Sequence, residues 1–579
     1  MIRFNVYLFL LFFLSACASI SQKDDKGFNW KKASAKLTRE YAKSMGPLSP
    51  EWISGVGFSQ FEHLTTPWSK ELEQQNYLLS YKWKSKLERM LKTESHEEYR
   101  ADIRILLDHV ERTMRGIEFD REIGAISFMP ISENVYLTLN ELVYDNAPER
   151  KIKNALSRFG LIVRGDEEQL PLIAGFTAHV LNQMDKLHEK RMKGFWPSRR
   201  EIETYLKDSE SYIESLNELL LDTKSDEWKK DYENFKEQEL QYREFVKKKI
   251  LPYARSQEGL PEAVYANILK EMGIDESPSE LIEVAKRDYR VIYMRFSELA
   301  KDVAKIHNLS SSDPVSVVHY LTSKKISDQA ELLKLYNEVN EELFQIVLRE
   351  KLLSINERPN ILIRFANKSE ALSLPAPYFN NSPFFGKDKN KKSEFVITPA
   401  DGGRDDFSFR EAALNLTAHE AMPGHALQYH MMRERGTTLM RSWLAFNSVN
   451  VEGWGLFAED LVFPYLSKEA QFITLQRRLW RVARMFLDPE LNLGLINEKR
   501  VFEVFLDELG FSKLFAESEF RRYSYIMPGQ ANSYYFGYKR LMKMKEKVSD
   551  PLCFNDAILN FGVLPLEEIA SRIDRLSCK

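Results

Sequence analysis

A chain of 579 residues, 44% hydrophobic and 29% charged, is globular in composition and long enough to bury a large core. Its 82 basic and 85 acidic side chains leave a formal net charge of −3, which excludes the clearly basic character of a nucleic-acid-binding domain. Cysteine is nearly absent, with only Cys17, Cys553 and Cys578.

The chain opens with MIRFNVYLFLLFFLSAC, in which Arg3 precedes an apolar run from Val6 to Leu14. That run is too short to span a bilayer as a stable helix and reads as the apolar region of a signal peptide over residues 1–16. Leu14-Ser15-Ala16-Cys17 resembles the bacterial lipobox, which implies that Cys17 is lipidated and becomes the mature N-terminus. Ala18 after it, in place of Asp, favours by the same resemblance an outer-membrane lipoprotein facing the periplasm, held to the membrane by its lipid. Residues 17–36 then read as a polar tether, and 37–579 as one helical domain.

Between Trp228 and Ile250, apolar residues recur at helical spacing and predict one amphipathic helix, with Lys247 to Lys249 on its solvated face. Ser277, Pro278 and Glu280 spell a capping box ahead of an apolar stripe at Leu281, Ala285, Ile292, Phe296 and Leu299. Asp313-Pro314 starts another helix by the same device. The first strand signal is Glu394 to Ala400, which alternates and is rich in β-branched residues. A loop, DGGRDD, follows. Ser408 with Glu411 then predicts a capping box for the helix FREAALNLTAHEA. The fold class expected is mainly α, with a small β element beside that helix.

The helix ends in TAHEAMPGHALQ. In the common zinc-protease arrangement two histidines four residues apart lie about 40° apart around a helix, facing one zinc, and the glutamate between them activates a water. Here His419 and His425 are six apart, which on a regular helix means about 120° and about 9 Å, too far for nitrogens that each sit about 2 Å from the metal. Pro423 lacks an amide hydrogen and Gly424 tolerates unusual backbone angles, so a break at these two residues would swing His425 back toward His419. His430 is nearly on the same face as His419 but about 16 Å along the axis. A peptidase zinc site needs three protein ligands, and Glu452 and Glu459 in NVEGWGLFAEDL, seven apart on one helix face, offer the third.

HEAMPGH, EGWGLFAE, RRYSYIMPGQANSYYFG and GVLPLEEI, in that order, resemble the bacterial family catalogued as domain of unknown function 885, grouped with zincin-type metallopeptidases. The core also resembles the thimet-oligopeptidase-like peptidases, whose metal-binding Glu is followed seven residues later by another. The resemblance implies a large helical body and one zinc ion held by His419, His425 and Glu452. It makes Glu420 the general base and Glu459 the supporting carboxylate. It also implies that Tyr534 donates to the developing oxyanion, with Gln530, Arg522 and Tyr523 as supporting or substrate-binding residues. Asn492 stands where the pattern would place a histidine. The implied activity is zinc-dependent hydrolysis of short peptides in the cell envelope, the zinc-bound water being activated by Glu420. The alternatives are a metal-dependent amidase of non-peptide or cell-wall substrates and an inactive envelope-binding lipoprotein. The strand before the metal helix is a candidate for pairing with an extended peptide. Cys553 and Cys578 are either a disulfide or two buried thiols.

Overall fold

The computed structural model describes residues 28–578 apart from 145, 368–369, 372–375, 386–391 and 399–404. Cys17, the segment before it and the first half of the tether lie outside the described residues. The described chain is mainly α-helical, with one three-stranded sheet. No helix among the described residues is long and apolar enough to cross a membrane.

Local signals set many helix ends. Ser277 accepts from the Glu280 amide while Glu280 returns a bond to the Ser277 amide, opening α1 (Pro278–Ile306). Leu281, Ala285 and Phe296 of its stripe are buried, whereas Ile292 and Leu299 are half-buried. Asp313 caps the helix Pro314–Thr322 through the Ser316 amide. The helix Lys229–Phe245 runs on through a π turn at Val246–Ile250, burying Phe235, Tyr242, Val246 and Ile250 and exposing Lys247 to Lys249.

The sheet holds β1 (Ile361–Phe365), β2 (Tyr378–Asn380) and β3 (Ser393–Ile397) in the order β1-β3-β2. β3 is parallel to β1, with Ile361 opposite Ser393, and antiparallel to β2, with Phe379 opposite Phe395. The strand expected at 394–400 is therefore observed as Ser393–Ile397, at the centre of the sheet; its expected last two positions and the first four of the DGGRDD loop lie outside the described residues. Both of its edges are already hydrogen-bonded, so it cannot take up an extended peptide as proposed from its position in the chain. The edge next to the cleft belongs to β2, whose Tyr378 and Phe379 line it.

The elements around the candidate site follow: α2 (Arg410–Glu420), α3 (His425–Glu434), α4 (Ser448–Val462), α5 (Lys468–Asn492), α6 (Lys513–Arg521) and α7 (Ser533–Lys545). The Ser408–Glu411 capping box does not form. Phe409, fully buried, occupies the cap position, which shifts the start of α2 by one residue. The Ser408 carbonyl instead accepts from the Ile326 amide at 2.7 Å.

α5 packs along α1 and also against α2 and α7. α4 lies against α7 at a bare backbone crossing, where a Cβ on Gly453 would stand 2.7 Å from the Gly537 carbonyl carbon. These helices share one large apolar cluster running from Leu260 to Ile573. A second cluster, from Ile126 to Ile250, fills an amino-terminal helical layer, and a third joins residues 37–110 to Met440, Trp443 and Leu444. Near that third cluster, Arg441 donates to Asp102 at 2.7 Å and to Glu98 at 2.6 Å, and Arg572 also bonds Glu98. Cys553 and Cys578 are joined as a disulfide, Cα atoms 5.9 Å apart.

Candidate metal centre

The chain breaks between the two histidines. α2 ends at Glu420, Ala421 leaves helical angles, and α3 restarts at His425 with Gly424 as its cap. The turn is so tight that a Cβ on Gly424 would fall 1.7 Å from the His419 carbonyl oxygen, so no other residue fits there without moving the backbone. This places the His419 and His425 rings 4.9 Å apart, nearly perpendicular. His430 is not among the residues lining the cleft, and its ring stands 4.0 Å from Glu434.

α4 brings the carboxylates. Its close approach depends on Gly455, where a Cβ would meet the His419 ring at 2.4 Å. Oε2 of Glu452 lies 3.3 Å from Nε2 of His419 and 3.6 Å from Nε2 of His425. Ligands about 2.1 Å from one tetrahedral zinc stand about 3.4 Å from each other, so these three atoms are spaced as ligands of a common ion. Two turns on, Glu459 meets Nδ1 of His419 at 2.9 Å, accepts from Asn415 at 2.7 Å and lies 3.4 Å from Arg481. With the Nδ1 proton given to Glu459, Nε2 of His419 keeps the lone pair a metal requires. Glu420 also belongs to the cluster, since it, His419 and His425 each offer a ligand atom within 4.8 Å of the others. Two carboxylates thus compete for the ligand position. Glu452 is the better placed, because a single oxygen of it faces both Nε2 atoms, and with Glu452 as the ligand Glu420 would stand beside the ion.

Charge at the centre follows the same division. Burial pushes the Glu452 carboxyl up, but hydrogen bonds and charge from His419 and His425 outweigh it and hold the group well below its usual range. At Glu459 burial is likewise overcome, chiefly by Arg481 and by His419, and the carboxyl falls to about 2. Burial would lower His419, yet Glu452 and Glu459 raise it to about 9. Glu420 goes the other way, raised by burial that the nearby histidines only partly relieve. Two firmly anionic carboxylates that raise the proton affinity of an imidazole make a pocket that favours positive charge, which a metal ion would supply in the proton's place, and a neighbouring carboxylate with raised proton affinity suits a general base.

The centre opens onto a cleft of about 510 Å³. Tyr534 lines it, its ring stacked 5.9 Å from that of His419, with the Arg484 guanidinium over its face at 4.4 Å. Arg522 donates through Nη2 to the Tyr534 hydroxyl at 3.2 Å and to Oε1 of Gln530, whose amide donates to Ser448 at 3.1 Å. Arg522, Gln530 and Tyr534 therefore stand together at the cleft wall. Tyr523 does not: it is fully buried outside the lining and donates to Glu519 at 2.6 Å, so it supports Glu519 and cannot touch a ligand in the cleft. Asn492 is also buried outside the lining, donating to Asp488 and to the Tyr523 carbonyl, so the missing histidine removes no group from the cleft wall.

Reading the sequence missed Arg481, Arg484 and Glu519. Arg484 makes two bonds to Glu519, at 2.8 and 2.6 Å, and Trp480 adds a third at 2.8 Å. The signal was present in QRRLWRVAR, where Arg477, Arg481 and Arg484 recur at helical spacing.

The family model described as "Bacterial protein of unknown function (DUF885)" matches residues 50–573. A crystal structure described as a "putative lipoprotein" from Colwellia psychrerythraea superposes with a TM-score of 0.72 at 15% identity, covering 94% of this chain and 99% of that one. Another, described as a "putative lipoprotein of unknown function" from Shewanella oneidensis, gives 0.67 at 16% identity over 93% and 99%. These likenesses establish the fold. A structure described as a "putative oligoendopeptidase F" from Bacillus anthracis, at TM-score 0.30 and 12% identity over 88% and 92%, is too distant to argue from. No curated protein matches the sequence.

Proposed function

The chain belongs to the bacterial DUF885 family of unknown function, and we propose that it is a zinc-dependent peptidase acting on short peptides. The observation that carries this reading is the spacing of Glu452 Oε2 from the two Nε2 atoms, 3.3 and 3.6 Å. His419, His425 and Glu452 are the residues that would hold zinc; a neutral imidazole pair with one carboxylate is a donor set zinc favours. Bound there, the ion would act as a Lewis acid and lower the pKa of water.

The protein's own groups supply the rest. Glu459, held by Asn415 and Arg481, fixes the His419 ring and its tautomer. Glu420 accepts the proton of the attacking water, a task its raised proton affinity favours. Tyr534 accepts a bond from Arg522, which leaves its hydroxyl hydrogen to be donated to the oxygen that gains charge as the carbonyl is attacked. Apolar groups of the cleft, including Phe379, Phe446 and Met527, accept the chain of the peptide.

We also propose an envelope lipoprotein anchored through Cys17. The lipobox-like sequence supports it, as do relatives described as lipoproteins and a disulfide, which persists in oxidising compartments. Cys17→Ser should release the protein from the membrane fraction; retention there would refute the anchor.

The peptidase reading is tested by digesting a peptide mixture with the parent protein and with Glu420→Gln, read by mass spectrometry beside zinc analysis. The parent should cut and the variant should not, at equal zinc content. Equal cleavage by both would remove Glu420 from the mechanism, and a parent protein without zinc or cleavage would end the reading.

A further inference from the structure

The cationic groups of the cleft are not equally matched. Arg481 has Glu459 at 3.4 Å, and Arg484 is bound twice by Glu519. Arg522 has no carboxylate within ion-pair distance among the described residues. Both of its hydrogen bonds to described residues leave from Nη2 and end on neutral groups, Gln530 and Tyr534, while its Nε is buried without a partner. The two nearest acidic groups are engaged elsewhere. Glu519 receives Arg484, Trp480 and Tyr523; Asp488 receives the Gly529 amide, Tyr265 and Asn492. Arg521 adds a second positive charge to the same wall, its side chain bonded, among the described residues, only to the Tyr525 hydroxyl. Glu519 and Asp488 feel the charge of Arg522 but do not bond it, and a half-buried guanidinium with spare donors and no directly paired carboxylate among the described residues is poised for an anion, its planar geometry suiting a carboxylate.

On the peptidase reading, we propose that Arg522 recognises a carboxylate of the substrate, so that the cleft selects peptides by a free C-terminus close to the bond that is cut. Arg522 is separated from the His419 ring by Tyr534 alone, which bonds the one and stacks on the other. A carboxylate at Arg522 therefore lies near the metal centre, and a cleft of about 510 Å³ accommodates only a short stretch of chain beyond it. The same chemistry is offered by an acidic side chain, and the test separates the two sources.

The experiment uses one peptide in three forms: free C-terminal acid, C-terminal amide, and amide with glutamate as the last residue. The full-length protein should cut the free acid with kcat/KM about 10- to 100-fold above the plain amide, as expected for a charge-assisted pair. Recovery of the rate in the glutamate form would assign the contact to an acidic side chain. Equal rates for all three would overturn the carboxylate inference and leave the peptidase standing, whereas no cleavage of any form would overturn the reading beneath it. Arg522→Gln lowers the overall rate as well, because Arg522 touches Tyr534, so the decisive quantity is the acid-to-amide ratio, which should fall toward one. Gln530→Glu should lower that ratio too, by giving Arg522 a carboxylate of its own. A ratio unchanged in both variants would exclude Arg522.

Discussion

The helix Lys229–Phe245 and α5 are both long and both packed on two sides, yet they spend burial differently. The first keeps its lysines in water and buries Phe235 and Tyr242, with Asp231 and Glu239 as its buried acids. In α5 every residue from Phe472 to Asn492 is buried, including Arg477, Arg478, Arg481, Arg484 and Asp488. Burying a charge costs several kcal/mol unless it is paired, so most charges in such a row need partners. Arg478 has Asp460, Arg481 has Glu459 and Arg484 has Glu519, whereas Arg477 donates only to the neutral Asp406 carbonyl among the described residues, and burial lowers its pKa to about 10. The amino-terminal helix is built to pack. α5 is built to hold other charged groups still, and one of them, Glu459, fixes His419 of the candidate metal site.

The largest effect expected from this contrast is at the centre itself. Glu420→Gln keeps the shape of α2 and removes only the proton acceptor, so peptide cleavage should fall about 10²- to 10⁴-fold with zinc content and melting temperature unchanged. A comparable fall in zinc content would show that Glu420 is a ligand and that Glu452 had been placed wrongly.

Next comes the arginine row. Arg484→Met leaves Glu519 buried without its main counter-charge, which should cost about 3–5 kcal/mol in denaturant unfolding. Adding Glu519→Gln should return much of that loss, because the orphaned charge disappears with it. If the double variant is no better than the single one, the row works by packing, and the contrast with Lys229–Phe245 loses its basis. A smaller effect belongs to Glu459, which touches His419 but not the ion. Glu459→Gln should weaken zinc binding about 10- to 100-fold, measured by competition with a chelator, with the fold retained.

How much of this could be read from the sequence depended on how local each signal was. The cap at Ser277 was legible because its partner Glu280 is three residues away, and the helix break was legible because Pro423 and Gly424 exclude a regular helix on their own. Glu452 and Glu459 were legible as a pair because seven residues return a helix to the same face. β1 and β2 were missed, being short strands whose partner β3 lies up to 32 positions on in the pairing register, Ile361 against Ser393. Ser408 was misread as a cap because the one-residue shift depends on the burial of Phe409. The arginines of α5 were missed for a related reason: spacing shows which residues share a face, but only packing shows whether that face meets water. Tyr523 was placed too near the chemistry for the same reason.

The smallest expected effect lies in the amino-terminal layer and sharpens the contrast from the other side. Glu239 is fully buried and accepts from Tyr205 at 2.6 Å. Burial outweighs the Tyr205 and Ser132 hydroxyls and the Arg243 charge, all of which favour the anion, and pushes the carboxyl up from 4.5 to about 6. A folded state that binds its proton more tightly than the unfolded chain gains stability in full below about pH 4.5, and loses it as pH rises through 6. Gln cannot lose a proton, so Glu239→Gln should match the parent near pH 4.5 and exceed it by up to about 2 kcal/mol at pH 7.5, measured by denaturant unfolding at both values. Glu239 contributes no bond to the metal centre, so cleavage should not change. An equal difference at both pH values would mean that the gain comes from packing; a loss of cleavage would mean that the amino-terminal layer, too, uses buried charge to hold the site.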